Sequence, residues 1–283
     1  MRRLTLRSIA RPAALCALLA ASMPPALAGH KPLWEAGFGV GAISFPDYPG
    51  SRNQSSYVVP VPYFIYRGRI LRADRNGLQA RLLDTSRFDS YLSLGASPPV
   101  RSGNGGERSG MPDIRPTVGF GPALEAHLWR SSLRRVRLDL RLPVREVFSV
   151  QSRPRQVGWQ FTPVLNLDVA SPAGLPGWNL GLQAGPVFSD RRYNSAFYGV
   201  APAYATPDRP AYVARGGFSG SQFTLALSRR FPRFWVGAFA RVDDLHGAVI
   251  ADSPLVGRST NLSLGIGIAW ILGESDRMVR SND

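Results

Sequence analysis

Residues 136–145 read VRLDLRLPVR, a run in which every second side chain is hydrocarbon. Val136, Leu138 and the residues that follow at intervals of two form one apolar face, whereas arginine, aspartate and proline occupy the other. Successive side chains of a β-strand point to opposite sides of the sheet, so this alternation predicts a strand with one apolar and one charged face. A slip of one residue would exchange the two faces, so the register of this strand is firmly specified.

Similar alternation recurs at residues 118–128, 157–169 and 262–272. These runs exceed the length of an ordinary strand, about five or six residues, and match the roughly 9 to 11 residues that a tilted transmembrane strand needs. Their polar faces carry Gly, Ser, Thr, Gln and paired Arg and Asp, which suits a confined lumen better than bulk water. We therefore predict an all-β fold, a transmembrane antiparallel β-barrel of about 12 strands, within a range of roughly 10 to 14.

The connections between the predicted strands alternate in length. The strands are expected to start near Trp34, Tyr57, Ile70, Leu78, Phe88, Thr117, Val136, Gln156, Trp178, Gly216, Phe234 and Asn261. Connections after the even-numbered strands are short, whereas most of those after the odd-numbered strands are long. Tight turns on the periplasmic side and long loops on the outer side are typical of outer-membrane barrels. A soluble periplasmic β-barrel or sandwich is the main alternative fold.

Two residue types bear on this fold. Five tryptophans are expected at the periplasmic membrane interface, namely Trp34, Trp129, Trp178, Trp235 and Trp270. Six prolines fit the predicted strands poorly because proline cannot donate to a ladder, and these are Pro60, Pro62, Pro122, Pro143, Pro163 and Pro186.

The first 28 residues have the features of a signal peptide. Four arginines precede an apolar stretch, and Ala26-Leu27-Ala28 supplies the small residues that a signal peptidase requires. We predict a signal peptide at residues 1–28, a barrel at residues 29–273 and a polar C-terminal tail at residues 274–283. The protein is thus expected in the outer membrane of a Gram-negative cell, with membrane lipid as its surroundings.

The predicted mature chain lacks cysteine, because the only cysteine is Cys16. Disulfides, thiolate metal sites and cysteine nucleophiles are thereby excluded. Without the four arginines of the signal peptide the chain keeps 30 basic and 19 acidic side chains. This excess could indicate nucleic-acid binding, but an exported chain rarely meets nucleic acid and the arginines are not clustered on one element. We predict no nucleic-acid partner.

The charged side chains of the predicted strands are candidate lumen residues. They are Glu125, His127, Arg137, Asp139, Arg141 and Arg145. One interpretation is a mutual salt-bridge network that fills the lumen, and the other is a constriction that attracts anions. A barrel hydrolase that pairs His127 with Glu125 and a serine is a weaker alternative, so no enzyme, cofactor or metal site is predicted.

Arginines are concentrated in the predicted periplasmic turns. The candidate contacts for an acidic partner are Arg130, Arg134, Arg135, Arg229, Arg230 and Arg233. Solvated interfacial charge is the simpler interpretation, and docking of a partner or of peptidoglycan is the functional one.

Five segments spread over the chain resemble the MipA/OmpV family of outer-membrane proteins. They are Pro46-Asp47-Tyr48-Pro49-Gly50-Ser51, Pro60-Val61-Pro62-Tyr63 followed by Arg67-Gly68-Arg69, Tyr198-Gly199-Val200, Leu245-His246-Gly247-Ala248 and Asp252-Ser253-Pro254-Leu255-Val256. The resemblance implies a non-enzymatic barrel that scaffolds a murein lytic transglycosylase and a murein synthase and so links peptidoglycan growth to the outer membrane. An outer-membrane channel for small anionic solutes is the alternative function. The residues after Gly273 and the glycine-rich loop at residues 97–116 depart from the family pattern.

Overall fold

The computed structural model describes residues 30–68, 71–74, 77–85, 87–103, 105–131 and 135–280. The predicted signal peptide lies outside these ranges, as do Ile70 and Arg134. The strands are β1 (His30–Pro32), β2 (Trp34–Pro46), β3 (Gln54–Arg67), β4 (Leu71–Asp74), β5 (Gly77–Asp84), β6 (Phe88–Ser97), β7 (Thr117–Arg130), β8 (Val136–Ser149), β9 (Gln156–Phe161), β10 (Val164–Ala170), β11 (Trp178–Ser189), β12 (Gly217–Arg230), β13 (Phe234–Asp244), β14 (Thr260–Glu274) and β15 (Met278–Arg280).

Strands β2 to β14 form one antiparallel sheet whose pairings return to their start, since β14 pairs with β2. Strands β9 and β10 are two parts of one interrupted strand, because both lie between β8 and β11. Counted in this way, the 13-stranded sheet has the predicted 12 strands. The prediction of an all-β antiparallel barrel is confirmed.

The two faces of the strands differ as the alternation predicts. Along β7 the residues from Thr117 to Glu125 are buried and exposed in strict alternation. The exposed positions are apolar, as at Phe120 and Leu124, whereas Glu125 is buried. Hydrocarbon therefore faces lipid, and the polar face points into the barrel.

Long loops lie at one end of the barrel, which we take as the extracellular end. They comprise residues 47–53, 98–116, 190–216 and 245–259. The loop at 190–216 contains a helix that the sequence analysis missed, α1 (Arg191–Tyr198), and a short 3-10 turn (Pro202–Tyr204). The Asp190 side chain accepts a hydrogen bond from the backbone N–H of Tyr193, an N-cap that a closer reading of the sequence could have identified. None of the helices in the described ranges has the length and hydropathy needed to cross a membrane.

Breaks and free edges of the sheet accommodate the six prolines. The break between β9 and β10 lies at Pro163, and Pro143 and Pro186 flank it on the adjacent strands. The β6–β7 ladder continues across Pro122, whereas the β7–β8 ladder skips that position, so its nitrogen faces the interruption. Pro60 and Pro62 lie on a free edge of β3 that is described below.

The chain ends of the barrel meet below its periplasmic rim. Strand β1 pairs with β15, which lies within the predicted polar tail, and Lys31 is opposite Val279. Two further backbone hydrogen bonds join these segments, from Leu33 N–H to the Arg277 carbonyl and from Ser275 N–H to the Trp34 carbonyl. A two-stranded ribbon thus ties the start of β2 to the end of β14.

Candidate functional site

Five of the six candidate lumen residues converge in the periplasmic half of the barrel. Glu125 lies directly opposite Arg141 across the β7–β8 ladder, and His127 lies opposite Asp139. On the other side of β8, Arg137 is opposite Asp168 of β10. These side chains share the inner face because their positions have the same parity along each strand. We call this group, together with Asp89 of β6, the lumen network.

Ion pairs and hydrogen bonds connect the members of the lumen network. The guanidinium of Arg137 contacts Asp139 at 2.7 Å and Asp168 at 2.9 Å, and Nε of Arg141 is 3.3 Å from Glu125. Asp139 is fully buried. Buried charges require partners of opposite sign, and here Glu125, Asp139 and Asp168 each contact an arginine. The geometry therefore favours a network that fills the lumen over a constriction that attracts anions.

The imidazole of His127 lies between two carboxylates. Its Nδ1 is 2.8 Å from Asp139 Oδ1, and its Nε2 is 3.4 Å from Asp89 Oδ2. A general base needs a ring nitrogen that faces the nucleophile, and both nitrogens face acids here. The arrangement does not support the hydrolase alternative.

A metal ion is the other possible ligand of this cluster. One ligand atom each of Glu125, His127 and Asp139 can be chosen so that all lie within 4.8 Å of one another. However, Arg137 contacts Asp139 and Arg141 contacts Glu125, so cations already neutralise the carboxylates. We interpret the three residues as part of the lumen network.

A second buried charge cluster lies near the periplasmic rim. Glu35 accepts hydrogen bonds from Arg230 Nε and Tyr63 Oη, each at 3.0 Å, and its other oxygen is 2.9 Å from Arg67. Arg67 also donates to the carbonyl of Pro32, and Arg230 also reaches Glu274. Through these contacts the cluster links Pro32, which precedes β2, to β3, and it links Glu274 at the end of β14 to β12.

The described residues line two interior cavities. The lower cavity, of about 460 Å³, has an inner wall of small residues, and Trp235 reaches into it. The upper chamber, of about 540 Å³, lies beneath the extracellular loops. Arg145, the sixth candidate lumen residue, lines the upper chamber and is therefore separated from the lumen network. Its side chain contacts Ser93 Oγ at 2.9 Å and Thr162 Oγ1 at 3.5 Å.

An extracellular lid covers the upper chamber. We use this name for residues 47–53, 98–116, 190–216 and 245–259, whose apolar side chains form a buried cluster. The cluster contains Tyr48, Val100, Ile114, Phe197, Tyr198, Ala214, Leu245, Ala248 and Ile250. Loop residues rarely form such a core, because connecting segments usually run over the surface. Packing among the loops therefore closes the outer mouth of the barrel.

Buried hydrogen bonds hold the lid segments together. Tyr48 donates to the Leu255 carbonyl and Tyr198 to the Pro49 carbonyl, each at 2.8 Å, and Ser253 donates to the Tyr198 carbonyl at 2.7 Å. Burial raises the pKa of Tyr198 well above its ordinary value, so its hydroxyl stays a neutral donor. The segments that carry the family resemblance supply most of these contacts. The sequence identifies these segments but carries no sign that they converge in space.

Arg108 is a further lid residue that the sequence analysis missed. It is buried, and its guanidinium donates to the carbonyls of Phe197 and Pro112. Burial lowers the pKa of Arg108 from its ordinary value. The contact joins the loop at 98–116 to α1. An isolated arginine in a glycine-rich loop carries no sequence signal for this role.

The candidate contact arginines differ in their surroundings. Arg130, Arg135 and Arg233 are exposed at the periplasmic end. Arg229 lies over the rings of Phe231 and Trp178, at 4.5 and 5.9 Å. Arg230 is engaged with Glu35 and Glu274, and Arg134 lies outside the described residues.

The interface prediction was wrong for one tryptophan. Trp34, Trp129 and Trp270 are exposed at the periplasmic ends of their strands. Trp235 instead turns inward, and its ring centroid is 6.2 Å from that of Tyr63. The inner face of β14 leaves room for large inward side chains on β13, because Gly265 and Gly267 lie opposite Phe239 and Gly237. The alternation along β13 would have revealed this direction.

Comparisons with known proteins give one family and several distant structures. The family model described as "MltA-interacting protein MipA" matches residues 38–272. A bacterial polysaccharide outer membrane secretin aligns with 9% identity over 84% of this chain and 99% of its own, at a TM-score of 0.38. The outer membrane phospholipase A from Escherichia coli aligns with 11% identity over 83% of this chain and 92% of its own, at a TM-score of 0.33. No match is found among curated protein sequences.

Proposed function

Since this chain belongs to the MipA family of MltA-interacting proteins and is an outer-membrane β-barrel, we propose that it is a non-enzymatic scaffold. In this role it holds a murein lytic transglycosylase, together with a murein synthase, at the inner face of the outer membrane. Such a complex links remodelling of peptidoglycan to the membrane above it.

The observation that carries the proposal is the obstruction of the barrel at both of its ends. The extracellular lid covers the outer mouth, and the lumen network and the Glu35 cluster occupy the periplasmic half. A barrel that is obstructed at both ends suits a rigid platform better than a pore, because permeation requires a continuous polar path. The arrangement of His127 between two acids supports the non-enzymatic part of the proposal.

The periplasmic end offers a basic surface for the partner. Arg130, Arg135 and Arg233 are exposed there. Lys31 of β1 and Arg277, which lies just before β15, add two basic residues below the rim, beside the exposed acids Glu274 and Asp276. Charges of one sign on a surface steer and orient a partner that carries the opposite sign. We therefore propose an acidic patch on the transglycosylase as the site that docks.

Reversing the exposed periplasmic charges should weaken capture of the transglycosylase. We expect the double substitution Arg130→Glu and Arg135→Glu to lower capture by roughly tenfold or more at physiological salt, because like charges then face each other. The measurement is a pull-down of purified transglycosylase by the detergent-solubilised protein.

A matched control reverses two arginines at the opposite end. Arg153→Glu and Arg258→Glu make the same change in net charge on exposed extracellular loops. This control should capture the transglycosylase like the unsubstituted protein. Equal capture by both double variants would show that the periplasmic arginines are not the contact.

The alternative function, a channel for small anionic solutes, is favoured by one observation, the position of Arg145 in the upper chamber. Recording in planar bilayers separates it from the scaffold. The lid and the lumen network should prevent steady conductance, so we expect only sporadic events above the noise. A stable open level with selectivity for anions would support the channel.

A further inference from the structure

The hairpin of β4 and β5 is too short to span the membrane beside its neighbours. Strand β3 pairs with β4 only at Tyr66 and Arg67, next to the periplasmic turn. Strand β6 pairs with β5 only as far as Leu92. In the described part of the chain, residues 54–65 of β3 and 93–97 of β6 therefore lack a partner strand on this side.

The described lengths of the two strands account for this gap. Only 18 residues separate Gly68 from Arg87, and the strands described among them are β4, of four residues, and β5, of eight. Each strand is thus shorter than the roughly 9 to 11 residues that cross a membrane. The neighbouring β3 has 14 residues. The wall is consequently complete in its periplasmic half and open between β3 and β6 in its extracellular half.

The free edge of β3 is adapted to lack a partner. Arg67 donates its backbone N–H to Leu33, on the side of β2, so the N–H groups of odd-numbered residues face β2. Backbone nitrogens of even-numbered residues face the gap, and these include Pro60 and Pro62. The β2–β3 ladder accordingly continues across both prolines without a shift of register. An unpaired N–H is costly in lipid, and two prolines remove two of these donors.

The extracellular lid closes the gap from above. Asn53 Nδ2 donates to the Gly105 carbonyl at 3.2 Å, and the backbone N–H of Arg52 donates to Glu107 at 3.2 Å. These contacts run from the β2–β3 loop to the β6–β7 loop. We call the framed opening the lateral window, bordered by β3, β6, the β4–β5 hairpin and the lid.

Arg145 lies directly behind the β6 edge of the lateral window. Its Nε donates to Ser93 Oγ of β6, and a Cβ atom placed on Gly95 would lie 3.6 Å from its Cδ. The upper chamber extends along the same edge, from Leu94 to Ser97. Unlike Arg137 and Arg141, Arg145 forms no ion pair with a side chain of the described residues. A partly buried guanidinium with only hydroxyl partners is an incomplete site.

We propose that the lateral window admits an anionic amphiphile from the outer leaflet and that Arg145 binds its head group. The planar guanidinium suits a carboxylate or a phosphate, since it can donate two parallel hydrogen bonds. Ser93 and Thr162 supply hydroxyls beside it. The acyl chain extends through the window between the apolar side chains of Val58 and Leu94, both exposed on the lipid side. This inference does not depend on the scaffold role.

A lipid-like ligand fits the window better than an added strand. Strand addition uses backbone donors along the free edge, and Pro60 and Pro62 remove two of them from the middle of β3. An acyl chain requires no backbone donors from the edge.

Nitroxide-labelled stearic acid tests the proposal in neutral phosphatidylcholine vesicles that contain the protein. At alkaline pH, where the fatty acid is ionised, we expect a motionally restricted spectral component that exceeds that of labelled methyl stearate. Arg145→Gln should lower the affinity of the protein for the ionised stearic acid by roughly 10- to 100-fold, as expected for loss of a charge-assisted hydrogen bond. Arg258→Gln removes an exposed lid arginine and should leave the excess unchanged.

A second variant keeps Arg145 and blocks access to it. Gly95→Leu places a side chain against the guanidinium and should abolish the excess, whereas Gly103→Leu, which has open space around it, should not. Altered migration of unboiled samples in gels, compared with boiled samples, verifies that each variant is folded. If Arg145→Gln does not fold, Gly95→Leu still tests the proposal. Equal restriction of acid and ester, or an excess that survives both variants, would overturn the proposal. Binding of acetate or inorganic phosphate at Arg145 without binding of stearate would also overturn it, because a soluble anion needs no lateral window.

Discussion

Replacing Glu35 with alanine is expected to lower the free energy of unfolding by about 3–5 kcal/mol. The side chain of Glu35 is 2% exposed, and it contacts Arg67, Arg230 and Tyr63. Its removal would leave two guanidinium groups near the periplasmic rim without their shared carboxylate. The cost of such a change comes mainly from guanidinium groups that lose the carboxylate they share and only partly from the lost attraction.

The chain provides a matched control for this substitution. Glu274 contacts the same Arg230, but its side chain is 53% exposed. We expect Glu274→Ala to cost less than about 1 kcal/mol, because water replaces an exposed partner. Urea unfolding of the refolded barrel in detergent micelles, followed by tryptophan fluorescence, measures both changes. Similar losses in both variants would mean that burial of Glu35 does not determine its contribution.

Substituting Gly39 with alanine is expected to prevent normal closure of the barrel seam between β2 and β14. A Cβ atom at Gly39 would lie 1.9 Å from the Ile268 carbonyl oxygen and 2.4 Å from the Ala269 Cα atom. Both are backbone atoms, which cannot rotate away as a side chain can. We estimate a loss of about 3 kcal/mol or more, at the upper end for an overpacked site.

Gly267 on the facing strand is the control for the seam. Its added Cβ would meet its nearest neighbour, the Val40 carbonyl oxygen, at 3.6 Å, which is an ordinary contact. Gly267→Ala should therefore fold with nearly unchanged stability. Refolding yield, read from the retarded band of unboiled samples, distinguishes the two. A normal yield for Gly39→Ala would show that the strands can separate locally at this point.

The sequence predicted the wall of the barrel because lipid imposes a simple rule on it. Hydrocarbon at every second position of residues 136–144 identified both the strand and its lumen face. The same parity brought Glu125, His127 and Asp139 onto one inner surface. Membrane-facing alternation is a local property, so a single sequence is sufficient to recognise it.

The packing of the extracellular lid could not be predicted from local alternation. Ile250 and Leu255 are fully buried, yet they lie in a loop without helical or strand periodicity. Their partners, Tyr48 and Tyr198, are far away along the chain. Packing between loops depends on long-range geometry that no local pattern encodes. The separation of Arg145 from Arg141 is a similar case, since both have the same parity and differ only in height along β8.

The ribbon of β1 and β15 has a consequence for biogenesis. Its two halves, His30–Pro32 and Met278–Arg280, come from opposite ends of the described chain, as do the two strands of the seam above it. The barrel therefore cannot close until β14 has paired with β2. A nascent polypeptide that stalls before residue 260 would lack β14 and would remain an open sheet. The ribbon can form only after β14 has been inserted, so it would secure only barrels that have already closed.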